Sequence, residues 1–450
     1  MRLSVLAIRD FRLLWCAELI SGMGSWLLVI AVPWHVYLMS RSLLAAGAVL
    51  AAQYAPPLVL APVAGVLADR CDRRTLMVAA EVFSAAAVAL LLASGHAYWI
   101  TYLALAAESA GTVVFRPALR ARVPAIVGTG PDLASAAALN AMTSGVVGLV
   151  GGPLGGLLLT FTGITPLILA DVASYLVGAV LVLLTSRSTA PRARGRLGAD
   201  ANAGADAGSG WAAFRAGWSA LRAEPAVRAL LPVNTLFLAA NASLTALFTP
   251  FAVIRLGGTR QAGLLLLALS AGYLIGAPLI RALLATAPPP YLLAGSLAVT
   301  AITYSLMFGS SSLAQAAPSA FVMGMAGSMA LASIQTTIQR LIPDGLLGRV
   351  SAVFVGGEAA ATLLGAATGP LIAQFAGIFA AAITASAVTL ASAALALPAA
   401  RWPRRASDGS AQVSDGSAAI AIAVQDPPLN PVRDLRDVSL GHVLEPDSEP

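Results

Sequence analysis

Twelve apolar stretches, each about as long as a bilayer is thick, follow one another along most of this 450-residue chain. They run roughly over 13–38, 44–67, 76–94, 98–118, 134–160, 166–186, 229–253, 261–285, 290–309, 314–338, 350–374 and 378–400. A membrane-crossing helix needs about 20 such residues. Inside lipid every backbone N–H and C=O must bond within the protein, which leaves only helices and closed barrels. Strands that cross a bilayer are half this length, so the expected fold is an all-α membrane protein of twelve transmembrane helices. Charged residues make up 11% of the chain, against about a quarter in a soluble domain. A water-soluble enzyme is excluded.

The charges between the stretches set the topology. The chain has no lysine, and all 27 basic residues are arginine. If both termini lie inside, 24 arginines fall in cytoplasmic segments and only Arg41, Arg255 and Arg260 fall outside. That asymmetry satisfies the positive-inside rule and predicts a multi-pass plasma-membrane protein with both ends cytoplasmic. The arginines are not massed on one face or arm, so nucleic acid is not expected as a partner. No small-residue cleavage site follows the first apolar run, which reads as a retained helix. Cys16 and Cys71 are not expected to pair.

Four regions follow: a first six-helix bundle over 1–186, a connector over 187–228, a second bundle over 229–400, and a tail over 401–450. Residues 187–210 are rich in Arg, Ala, Gly and Asp without hydrophobic periodicity, as in a flexible linker. Trp211, Phe214, Trp218 and Leu221 then recur at helical spacing, as in an amphipathic helix lying on the membrane surface. The Ser-, Asp- and Pro-rich tail is expected to be disordered.

The two bundles repeat one another. Gly148-x-x-x-Gly152-Pro153-Leu154 recurs as Gly365-x-x-x-Gly369-Pro370-Leu371, 217 residues on. Ala46-Gly47 and Pro62 recur as Ala262-Gly263 and Pro278, and Pro124, read as closing a helix, recurs as Pro343. Near-constant offsets on separate helices are the mark of a duplicated transporter.

Between the second and third stretches stands Gly65-Val-Leu-Ala-Asp69-Arg70-Cys-Asp72-Arg73-Arg74. This segment resembles motif A of the major facilitator superfamily, with Asp72 where the family usually has glycine. The resemblance covers about residues 5–400 and implies two pseudo-symmetric six-helix bundles rocking about a central cavity. The residues suggest the same contact on their own chemistry. Gly65 permits close helix approach, and Asp69 suits the positive N-terminus of the eleventh helix, near Arg349. Gly65, Asp69, Arg70, Arg73, Arg74 and Arg349 are therefore expected to form a cytoplasmic latch. The alternative is that the arginines are topology anchors only.

In the fifth stretch, Gly148, Gly152, Pro153, Gly155 and Gly156 resemble motif C, which that superfamily associates with proton-driven drug antiporters. Small residues there permit tight packing against the opposite bundle, and Pro153 can kink the helix. Ordinary small-residue packing is the plainer alternative. Phe115-Arg116-Pro117, Ala138-Leu139-Asn140, Asp171–Tyr175 and Arg340–Val350 resemble the branch holding macrolide and siderophore exporters. The arginine that many drug antiporters carry in the fourth helix is missing, with Ala107 and Glu108 in its place.

Five acidic residues lie within the stretches: Glu18, Glu81, Glu108, Asp171 and Glu358. Ionisable groups at that depth are costly and mark functional candidates. The family fold places helices one, four, seven and ten around the cavity, which makes Glu108 the first proton-coupling candidate and Glu18 the second. Asp171 is a third, or else a structural partner of a neighbouring helix. Trp26, Asn234 and Asn241 are candidate cavity residues. No phosphate-binding loop, metal-ligand cluster or catalytic triad is visible, so no cofactor and no metal are expected.

The expected activity is proton-antiport efflux of a bulky, largely apolar small molecule, such as an antibiotic, by a monomer with alternating access. A siderophore exporter and a proton-coupled importer are alternatives on the same fold. A multi-pass enzyme would need a loop of clustered catalytic residues, and none is present.

Overall fold

The computed structural model describes residues 3–95, 97–128, 130–186, 225–283, 288–341 and 344–397. Among these, a 3-10 turn (Leu3–Ala7) leads into α1 (Arg9–Ser40), α2 (Leu43–Arg70), α3 (Arg73–Ala89), α4 (Trp99–Val127), α5 (Pro131–Thr162) and α6 (Ile164–Leu183). The second half holds α7 (Pro225–Leu256), α8 (Thr259–Leu283), α9 (Pro289–Gly309), α10 (Leu313–Leu341), α11 (Asp344–Ala376) and α12 (Ile378–Ala396). Eleven of these helices are long and apolar enough to cross a membrane. The other, α4, is as long but carries Glu108, Arg116, Arg120 and Arg122.

Local chemistry sets several ends. The Ser42 hydroxyl accepts the Ala45 amide and caps α2, and the Asp72 carboxylate does the same for Thr75 at the start of α3. Pro124, expected to close a helix, instead lies inside α4. A proline costs an interior turn one hydrogen bond, which neighbouring helices in a membrane bundle offset. The helix ends four residues later at Gly128, whose φ of 79° only glycine adopts freely. Pro343, the 187–210 linker, the Trp211–Glu224 amphipathic helix and the 401–450 tail lie outside the described residues.

The helix pairings show the duplication directly. In the first half α1 packs on α5 and α6, α2 on α4, and α3 on α4 and α6. Each pairing recurs six helices later: α7 on α11 and α12, α8 on α10, and α9 on α10 and α12.

The two halves meet through α5 against α8 and, equivalently, α2 against α11. Both seams are closed by a glycine against a proline. A Cβ at Gly263 would stand 2.8 Å from the Pro153 carbonyl oxygen, and one at Gly47 would collide with the Pro370 ring. These four residues are the sequence repeats at offsets of 216 and 217, so the repeat marks the inter-bundle contact itself. Beside the second seam, the Leu43 amide donates to Gln374 Oε1 at 3.0 Å. Ile30 of α1 joins Leu244, Leu247 and Phe251 of α7 in one apolar core. All of these contacts lie at the end of the bundles away from Arg116 and Arg120.

Candidate functional site

Between the bundles lies a cavity of about 360 Å³, lined mainly by aliphatic and aromatic side chains such as Trp26, Phe237 and Leu266. Its charged lining residues are Glu108 and Asp171, with Asn241 facing them from α7. A wider vestibule of about 870 Å³ is lined by Arg116, Arg120, Asn234 and Glu358. Gln53, Tyr273 and Leu331 line both spaces, so the cavity widens toward the arginine-bearing end.

The two carboxylates belong to one hydrogen-bonded group. Tyr175 on α6 donates to Glu108 Oε1 at 2.6 Å, and Thr112, one turn along α4, donates to the same oxygen at 3.1 Å. The Tyr175 hydroxyl is also 2.9 Å from Ser25 Oγ on α1. Asp171 lies against the Ser25 hydroxyl and accepts from Ser174 Oγ at 3.3 Å. Gly24 makes this possible. A Cβ there would stand 2.9 Å from that of Ser174, so glycine lets α1 close onto the polar face of α6.

A carboxylate that accepts hydroxyl bonds while facing an apolar cavity tolerates either protonation state better than a bare one. Three helices hold this group, and Ser25, Glu108 and Asp171 border the cavity directly. Such an arrangement can take up and give away a proton where a bound molecule would sense the change.

The other candidates fall as follows. Glu18 is half-buried and lines neither space. Trp26 and Asn241 line the cavity, and Asn241 Nδ2 donates to the buried Tyr304 hydroxyl at 3.0 Å. Asn234 lines the vestibule and donates to Glu358 Oε1 at 3.3 Å. Gly148 and Gly155 pack α5 on Trp26 and on the Leu27 backbone of α1. Gly152 and Gly156 reach Leu266 and Gly263 of α8, so the motif joins both bundles.

Arg73 donates to the Ala121 carbonyl at 3.1 Å, and Arg74 to the Leu183 carbonyl, which ties α3 to the ends of α4 and α6. The side chains of Gly65, Asp69, Arg70 and Arg349, the rest of the expected latch, lie outside the described residues.

Two participants were not singled out from sequence. Tyr175 carried a signal, since Asp171, Ser174 and Tyr175 share one face of an otherwise apolar helix. Arg122, counted as a topology charge, is buried and donates to Thr185 Oγ1 at 2.9 Å and the Ser186 carbonyl at 2.6 Å. No local pattern separates it from its exposed neighbours Arg116 and Arg120.

A family model described as transmembrane secretion effector matches residues 2–426. An uncharacterised MFS-type transporter of Bacillus subtilis (strain 168), YfiS, is 26% identical over 177 residues, or 38% of this chain. The chain spans 41% of that relative's length. Among solved structures, a POT family transporter aligns with a TM-score of 0.66 at 13% identity, over 87% of this chain and 96% of its own. The nucleoside transporter NupG aligns at 0.65 and 11% identity, over 87% of this chain and 98% of its own. A bacterial homologue of human Spinster, solved inward-facing, aligns at 0.65 and 16%, over 87% and 96%. At such identities these likenesses establish the fold.

Proposed function

Because the chain belongs to the transmembrane secretion effector family of the major facilitator superfamily, and is therefore a multi-pass membrane transporter, we propose that it exports a bulky, largely apolar small molecule by proton antiport. The observation that carries this reading is the pair of cavity carboxylates, Glu108 and Asp171, held by Tyr175, Ser25 and Thr112 in a mostly apolar chamber. An apolar lining suits an apolar cargo, and a pair of carboxylates in that lining suits a coupling ion.

The arginine-bearing vestibule faces the cytoplasm in this account, following the arginine asymmetry of the loops. Substrate enters there and reaches the cavity. The Gly263–Pro153 and Gly47–Pro370 seams close the outer side, and the bundles then rock to open them. Glu108 takes a proton from outside and releases it inward as the cycle returns. In the opposite state Asp69 meets the N-terminus of α11 and holds the cytoplasmic side shut. The family's secretion description and the glycine-rich α5 favour export over import.

Screening a deletion strain for lost tolerance to compound classes identifies the cargo. Uptake of that cargo into everted vesicles under an imposed proton gradient then tests the coupling. Accumulation that collapses with an uncoupler supports antiport, and accumulation indifferent to it refutes antiport.

A further inference from the structure

One buried carboxylate takes no part in the cavity. Glu81 on α3 is only 3% exposed, and its Oε2 has no hydrogen-bond partner. It lines neither the cavity nor the vestibule. The chain nevertheless makes room for it. A Cβ at Gly178 of α6 would stand 2.9 Å from Oε2, so the niche exists because position 178 is glycine. The Ser21 hydroxyl lies alongside from α1, and Asp171 is close enough for the two carboxylates to interact electrostatically.

The elements around it form a seam. On α1, Glu18, Ser21 and Ser25 share a face at helical spacing. On α6, which runs antiparallel to α1, Asp171, Ser174 and Gly178 do the same. Ser25 meets Asp171 and Tyr175, and one turn back Ser21 meets Glu81. The titratable and charged groups bordering this seam are Glu18 from α1, Asp171 and Tyr175 from α6, and Glu108 from α4. Arg116 and Arg120 stand at its arginine-bearing end, both interacting at longer range with Glu18 and Arg116 also with Glu108. Among the described residues no arginine bonds Glu81, Asp171 or Glu108.

Resting on the antiport reading above, we propose that Glu81 is a second proton site, sealed from the substrate and fed from Glu108 through Tyr175, Ser25 and Asp171. The Glu108 carboxyl gives its proton to a hydroxyl that passes on its own, Asp171 receives it, and Glu81 takes it from Asp171. One proton moves, no bond to carbon changes, and no other reactant is needed. The proton is thus held at Glu81 inside the first bundle and returns along the same chain to Glu108, which releases it inward, while the substrate uses the vestibule between the bundles. A carboxylate that only braced α3 against α6 would instead keep its proton throughout.

Infrared difference spectroscopy of the full-length protein in lipid, titrated from acid to alkaline pH without substrate, separates these cases. In the wild type, carboxyl bands from Glu108, Asp171 and Glu81 should all be lost as the pH rises. Glu81→Gln should remove one of the three and displace the Asp171 band, and Glu81→Asp should restore a titrating band. Gly178→Ala, which presses on Oε2 without removing the carboxylate, should displace the Glu81 band and covers the case in which Glu81→Gln does not fold. A Glu81 band that never titrates, or an Asp171 band unmoved by both Glu81→Gln and Gly178→Ala, overturns the proposal. Failure of the antiport reading looks different, because the Glu108 band would then be the one that does not titrate.

Discussion

The Tyr175 hydroxyl of α6 donates to Glu108 Oε1 of α4 at 2.6 Å, 67 residues away in sequence. This bond joins the cavity carboxylate to Ser25 and Asp171, so Glu108 and Asp171 belong to one hydrogen-bonded group. The energetics of Glu108 therefore depend on α1 and α6 as well as on its own helix.

Tyr175→Phe tests that dependence. A hydrogen bond to a charged group contributes about 1.5–3 kcal/mol, equivalent to about 1–2 pH units. The variant should insert normally, and the midpoint of its transport-against-pH profile should move by about that amount. A profile superimposable on the wild type would mean that the bond has no part in coupling.

The outer seam has its own test in Gly263→Leu. The added Cβ meets the Pro153 carbonyl oxygen, which is backbone and cannot swing away. Overpacking of this kind costs about 1–3 kcal/mol. The seam should close less fully, so a cysteine introduced at Trp26 should label faster from outside than in the wild type. Unchanged labelling would show that this seam does not gate the cavity.

Asp72 gives a stability test outside the membrane. The Thr75 amide, helped by the Thr75 hydroxyl, holds its carboxyl below the usual carboxylate range. A capping residue of this type contributes about 0.5–2 kcal/mol relative to alanine, so Asp72→Ala should unfold earlier in detergent at neutral pH. Because the folded-state value is depressed, the contribution is complete above the unfolded value, about 3.9. It fades as the pH falls through the lower folded one. The gap between wild type and variant should therefore shrink in acid, and a constant gap would place the effect elsewhere.

Arg122→Leu should be more damaging than Arg120→Leu. Arg122 is 5% exposed and clamps Thr185 and the Ser186 carbonyl, whereas Arg120 is exposed in the vestibule. Losing charged hydrogen bonds and leaving their partners unpaired costs about 1–3 kcal/mol each. Thermal unfolding in detergent should rank the two variants in that order, and equal stability would contradict the assigned clamp.

The twelve helices and their duplication were legible because the bilayer imposes its own length on the chain and because Gly47, Pro153, Gly263 and Pro370 repeat where the bundles meet. Glu108, Asp171, Trp26 and Asn241 were legible as rare polar or aromatic residues within apolar stretches. The hydrogen-bonded group was not. Its members come from α1, α4 and α6, and the choice among Tyr175, Ser25 and Glu18 depends on helix rotation, which one sequence does not specify. Glu18 has the same composition signal as Glu108, yet it lines neither space. Arg122 likewise looks like its neighbours until α4 is seen to turn it toward α6.

The central claim is that Glu108 carries the coupling proton, and Glu108→Gln tests it most directly. Glutamine keeps the shape and the hydrogen bonds from Tyr175 and Thr112 but cannot change charge. In everted vesicles, with a cargo identified by the tolerance screen, the variant should lose accumulation driven by a proton gradient while retaining downhill exchange of the same compound. Gradient-driven accumulation with an unaltered pH dependence in Glu108→Gln would contradict the account.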